Sequence, residues 1–175
     1  AVGTQALQAN TTASNNTAVG YASLGANTTG ANNVAIGKDA LDSNTTASNN
    51  VAIGVDALQT NTVGAESVAI GTFALNAQNP ASAANMYNVA VGHNTGASVT
   101  TGTRNTLIGA IAGDALTTGG DNTVLGYNAL TSDTLGSKTV AIGRSVLSSQ
   151  NFTSATDTYN TAVGFFAGLS ITTGV

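Results

Sequence analysis

Asn27-Thr28-Thr29-Gly30-Ala31-Asn32-Asn33-Val34-Ala35-Ile36-Gly37 is the stretch that decides the fold. Its last five residues return as Asn50-Val51-Ala52-Ile53-Gly54 and, with aliphatic exchanges, as Asn122-Thr123-Val124-Leu125-Gly126. The closing glycines are Gly3, Gly20, Gly37, Gly54, Gly71, Gly92, Gly109, Gly126, Gly143 and Gly164, spaced by 17 residues except for two gaps of 21. A fixed period of this kind marks one supersecondary unit stacked on copies of itself, each too small to bury its apolar side alone.

Each cassette reads as a short strand. Three aliphatic or β-branched residues lie between an asparagine and a glycine, and such residues suit a pleated, packed surface. Side chains alternate between the two faces of a strand. We assign Val34 and Ile36 to the coil interior and Ala35 to the outside. The outward residue is itself apolar in every coil, so the strand needs cover on both faces. Sister chains are the expected cover. The predicted oligomer interface is therefore the column Ala18, Ala35, Ala52, Ala69, Ala90, Leu107, Val124, Ala141 and Ala162.

After each glycine two positions vary freely, which marks solvent. An Ala-Leu pair follows, as in Ala40-Leu41, Ala57-Leu58 and Ala74-Leu75, with Gly96, Gly113 and Gly168 standing where other coils have leucine. A polar corner such as Asn44-Thr45-Thr46-Ala47 then turns the chain back. The recurrent asparagine has two readings. It forms an amide ladder with its copies in neighbouring coils, or it caps its own turn. These features predict an all-β chain, a parallel β-roll or β-solenoid of about ten coils, as a single repeat domain over 1–175 that is a segment of a longer fibrous protein. Longer loops are expected at 76–87 and 148–159, where the gaps of 21 fall.

Composition narrows the function. Four Lys and Arg against eight Asp and Glu give a net charge of −4, with no basic face for nucleic acid. No apolar run approaches the ~20 residues of a membrane helix. Cysteine is absent, so no disulfide framework exists. A single histidine, His93, in a variable solvent-facing position, assembles no Ser-His-Asp constellation, and no metal-ligand spacing recurs. We expect no enzyme activity, no metal and no cofactor. The uncharged, Asn- and Thr-rich composition points to an extracellular setting.

The Asn-x-Val-Ala-Ile-Gly cassette resembles the head repeat of trimeric autotransporter adhesins, and the longer phrase from Asn27 to Gly37 is similar to arrays in phage tail fibres. The resemblance implies a left-handed parallel β-roll, three parallel chains around one axis, and a place on a cell or virion surface. It implies a non-enzymatic head that presents receptor-binding loops on a rigid trimeric shaft. A purely structural filament subunit, assembled end to end, is the alternative. Insertions in solenoids often form the binding face. Candidate binding residues are therefore Met86, Tyr87, Phe152 and Tyr159 in the two longer loops, with Tyr21 and Tyr127 just after their glycines. Their aromatic and amide groups suit a host-surface carbohydrate, and a matrix protein is the other expected partner; the bland reading makes the loops tolerated bulges.

Overall fold

The computed structural model describes residues 1–174; Val175, the last residue of the expected repeat domain, lies outside the described residues. It is all-β, with no helix among the described residues. The strands in chain order are β1 (Thr17–Val19), β2 (Val34–Ile36), β3 (Val51–Ile53), β4 (Gly64–Ala65), β5 (Val68–Ile70), β6 (Ala84–Asn85) and β7 (Val89–Val91). They continue as β8 (Thr106–Ile108), β9 (Thr123–Leu125), β10 (Gly136–Ser137), β11 (Val140–Ile142), β12 (Thr156–Asp157) and β13 (Thr161–Val163).

Every cassette after the first supplies one rung of a single nine-stranded parallel sheet, ordered β1-β2-β3-β5-β7-β8-β9-β11-β13. The register is that of the repeat: Ala35 opposes Ala18 and Ala52, and Ala90 opposes Leu107. A bridge between Val2 and Val19 continues the stack. The chain is thus the expected parallel β-solenoid with a 17-residue rung, of about nine turns where the sequence reading gave about ten.

The glycine column has a steric origin. Gly54 sits at φ +136°, and a Cβ there would stand 2.6 Å from the carbonyl carbon of Gly71 in the next rung. Only glycine combines that backbone with so close an approach. The half-coil after it uses left-handed residues in alternation. Asp39 and Leu41 have φ of 56° and 51°, and Asp56 and Leu58 have 57° and 50°. The left-handed residues send their N–H groups to opposite neighbours, while Ala40 N between them donates to Gly37 O of its own turn. Asp39 N donates to Tyr21 O of the preceding rung at 2.9 Å, and Leu41 N donates to Ala57 O of the following rung at 3.0 Å. The backbone is therefore paired between rungs outside the strands as well, which satisfies groups that a loop would leave to water.

The faces of the strand are reversed from the sequence expectation. Ala35, Ala52, Ala69, Ala90, Leu107, Val124 and Ala141 are fully buried inside their own coil, Ala18 nearly so, and Ala162 is half-buried. Val34 and Ile36, with their counterparts, face outward. The interior explains the reversal. Leu24, Leu41, Leu58, Leu75, Leu130 and Leu147 fill it from the opposite wall, and beneath them the strand contributes a methyl in every rung but that of Leu130, where it is Val124. The alanine column therefore cannot be the oligomer interface. Two outward columns of Val, Ile, Leu and Thr occupy the exposed face instead.

The asparagine column follows neither of its two readings. Asn33 Nδ2 donates to Ala47 O at 2.9 Å, while its Oδ1 accepts from Asn50 N at 2.9 Å. Asn105 does the same with Gly119 O and Asn122 N, at 2.9 and 3.1 Å. Each side chain ties its rung to the backbone of the next. A side-chain ladder does exist, in a different column: Asn44 Nδ2 donates to Asn27 Oδ1 at 2.7 Å, and Asn27 Nδ2 to Asn10 Oδ1 at 3.2 Å.

Candidate functional surface

The two longer loops enter at one position of the coil. Gly64 and Ala65 pair with Ala84 and Asn85 in the first, and Gly136 and Ser137 pair with Thr156 and Asp157 in the second. In the main sheet β7 and β13 are four rungs apart, so the loops repeat along one flank at ~19 Å.

Of the six residues expected to bind, the structure separates two from four. Met86 and Phe152 are buried, at 1% and 6% exposure, and plug the inside of their loops. They are packing residues, a correction to the sequence reading. An extra turn of chain opens space beneath itself, and a large apolar side chain closes it. Tyr87, Tyr159, Tyr21 and Tyr127 are exposed. Tyr87 and Tyr159 share one column, the left-handed residue just before the asparagine, with φ of 54° and 52°. Tyr21 and Tyr127 lie in another column, after the glycine.

Between Tyr87 and Tyr159, that first column carries Arg104, Asp121 and Lys138, with φ of 58°, 60° and 60°. Arg104 grips Asp121 through Nε to Oδ1 at 2.6 Å and Nη2 to Oδ2 at 3.0 Å. Lys138 Nζ meets Asp157 Oδ2 at 2.5 Å and lies 5.1 Å from the centre of the Tyr159 ring. The hydrogen bond from Arg104 holds the Asp121 carboxyl below its ordinary range, and Asp121 raises Arg104 in turn. Lys138 is raised chiefly by its hydrogen bond to Asp157. Aligning the glycines exposes this charged seam, because Arg104, Asp121 and Lys138 share the left-handed position five residues before a column glycine; a search for loop aromatics alone overlooks it.

Arg144 sits under Tyr127, Phe165 and Phe166, at 5.7, 5.3 and 5.7 Å from their ring centres. No cavity opens on the described residues, and no group of three or more His, Cys, Asp or Glu among them is placed to hold a metal. No helix of the described residues is long and apolar enough to cross a membrane. The surface is thus one of columns and ridges. Comparison with known protein families, with curated proteins and with solved structures finds no match.

Proposed function

We propose that this chain is a non-enzymatic shaft of an extracellular fibre or adhesin head, working as a parallel homotrimer that presents binding surfaces at fixed spacing. The outer face of the nine-stranded sheet carries the reading. Its two outward columns hold eighteen residues, from Thr17 and Val19 to Thr161 and Val163, and each is Val, Ile, Leu or Thr. Ile36, Ile70, Ile108 and Leu125 are 36–45% exposed. Eight rung spacings make this a ridge ~38 Å long, uncharged throughout. A contiguous apolar strip of that length marks an interaction surface. Copies of the same straight ridge are self-complementary along their whole length, and closed symmetry satisfies them without leaving a free edge. Three is the number that the resemblance implies. Three linked copies of any weak surface site would bind with avidity.

Sedimentation equilibrium tests this. A trimer has a mass of about 51 kDa, three times 17.1 kDa. A monodisperse monomer at micromolar concentration overturns the reading, and long filaments in negative stain replace it with end-to-end assembly.

A further inference from the structure

We propose that the seam from Tyr87 to Tyr159 is a binding platform for an uncharged linear polysaccharide lying parallel to the solenoid axis. The inference deepens the shaft reading above and rests on it, since it names the ligand class of a surface that the shaft would present.

The seam is built and held. Its two ends are tyrosine rings, 53% and 70% exposed, four rungs apart. Neither ring is loose. The Tyr87 hydroxyl accepts from Asn85 Nδ2 at 2.9 Å, and the Tyr159 hydroxyl lies 3.3 Å from both Asp157 Oδ2 and Lys138 Nζ. A ring with few rotamers, already restrained, offers contact area at low entropic cost. The apolar C–H face of a pyranose stacks on such a ring, while its hydroxyls need both donors and acceptors.

The floor between the rings supplies both. Arg104 and Lys138 are cations, and Asp121 and Asp157 are their anions, so the four charges cancel. Arg104 spends two of its five N–H donors on Asp121 and keeps the rest for a ligand. A cancelled floor exerts little pull on a polyanion. Nucleic acid needs unpaired cations along its track and is disfavoured on a chain of net charge −4. Aliphatic side chains, which anchor protein partners, are absent from the five positions of the seam. The ~19 Å between the rings exceeds what one sugar spans. A polymer running along the rungs reaches both rings and the ion pairs between them.

Affinity electrophoresis of the whole chain tests the proposal, in gels carrying starch, dextran, hydroxyethylcellulose, galactomannan or glucomannan. Tyr87→Asn and Tyr159→Asn are the variants, because asparagine holds the same left-handed column at Asn15, Asn32 and Asn49 and keeps the backbone intact. Retardation by at least one polysaccharide is expected, with each variant weakening it on the order of ten-fold, as loss of an aromatic anchor does. Retardation should persist from ~0.1 to ~1 M salt, where the screening length falls from ~10 to ~3 Å. No retardation in any gel overturns the inference, as does binding that both variants retain or that salt abolishes. Retention of the chain by single-stranded DNA or by a protein through these tyrosines would replace it. A trimer that binds none of the polysaccharides sinks this inference alone, whereas a monomer sinks the shaft reading.

Discussion

Leu107 occupies the space that a leucine at position 96 would fill: a Cβ built on Gly96 would stand 2.7 Å from Leu107 Cδ1. The same side chain faces Gly113 on its other side, 3.1 Å from Cδ2 to a Cβ built there. In most rungs the strand contributes alanine and the opposite wall leucine. Here Leu107 and Gly113 exchange sizes across the coil, and Leu107 also fills space beside Gly96, as a close-packed interior requires.

Leu107→Ala therefore leaves a cavity and should cost about 2–5 kcal/mol. Gly96→Leu is compatible with the backbone, since Leu75 and Leu130 hold φ of 48° and 51° at the same position, but collides with Leu107. Joining the two removes the collision and lets the new leucine fill part of the space that Leu107 leaves. The double variant should be more stable than the sum of the singles predicts, by about 0.5–3 kcal/mol. Denaturant unfolding of the four proteins measures the coupling, and simple additivity would contradict the exchange.

The orientation of the strand makes a second pair of variants diagnostic. Ala69 is fully buried and Ile70 is 36% exposed, although they are neighbours. Ala69→Asp places a carboxylate in a closed apolar coil and should unfold the chain, several kcal/mol being needed to bury it. Ile70→Asp should leave the circular dichroism spectrum unchanged and dissociate the proposed trimer. Were the first variant folded and monomeric, the strand faces would be assigned wrongly.

This pair also shows how far the residues could be read before the structure. The glycine spacing gave the rung and its register directly, because a parallel in-register stack repeats its sequence at its own pitch. Which strand face lies inside was not legible. Both faces are apolar, so alternation yields two sets without saying which is enclosed. The answer depends on Leu41 and its copies, which reach across from a half-coil whose alternating left-handed residues carry no turn signature; leucine at φ 51° is a poor match to any turn rule. Met86 and Phe152 were misplaced for a related reason: an aromatic or methionine in a long loop reads alike as ligand contact or as plug. The charged seam was legible only by column.

Asn105 carries two bonds between rungs, one given and one received, and is wholly buried. Asn105→Ala strands Gly119 O and Asn122 N, and should cost on the order of 2–4 kcal/mol, since each unmet buried group forfeits ~1–3 kcal/mol. Asn105→Asp loses the donor and buries a charge. It should be the worse variant at neutral pH and recover part of the loss in acid, when the carboxyl regains a donor. Thermal unfolding at both pH values checks this, and equal stability of Asn105→Asp and the parent at neutral pH would refute it.

Acid should act through two carboxyls of opposite sign. Partial burial, aided by the charge of Asp39, raises the Asp42 carboxyl above its ordinary value, whereas the hydrogen bond from Arg104 lowers Asp121. For Asp42 the folded chain holds its proton more tightly than the unfolded one. Its burial penalty is full above the raised folded value and is relieved as pH falls toward ~3.9. For Asp121 the stabilisation is full above ~3.9 and is lost as pH drops through its lower folded value. The Arg104 pair is exposed, so its loss is small. Stability should therefore hold or rise slightly from neutral pH to about 4 and fall only below it. Asp42→Asn, which removes the penalty without changing shape, should raise Tm at neutral pH and leave it unchanged near pH 3, where the parent carboxyl is already neutral. A rise of equal size at both pH values would show that the gain comes from packing and not from charge.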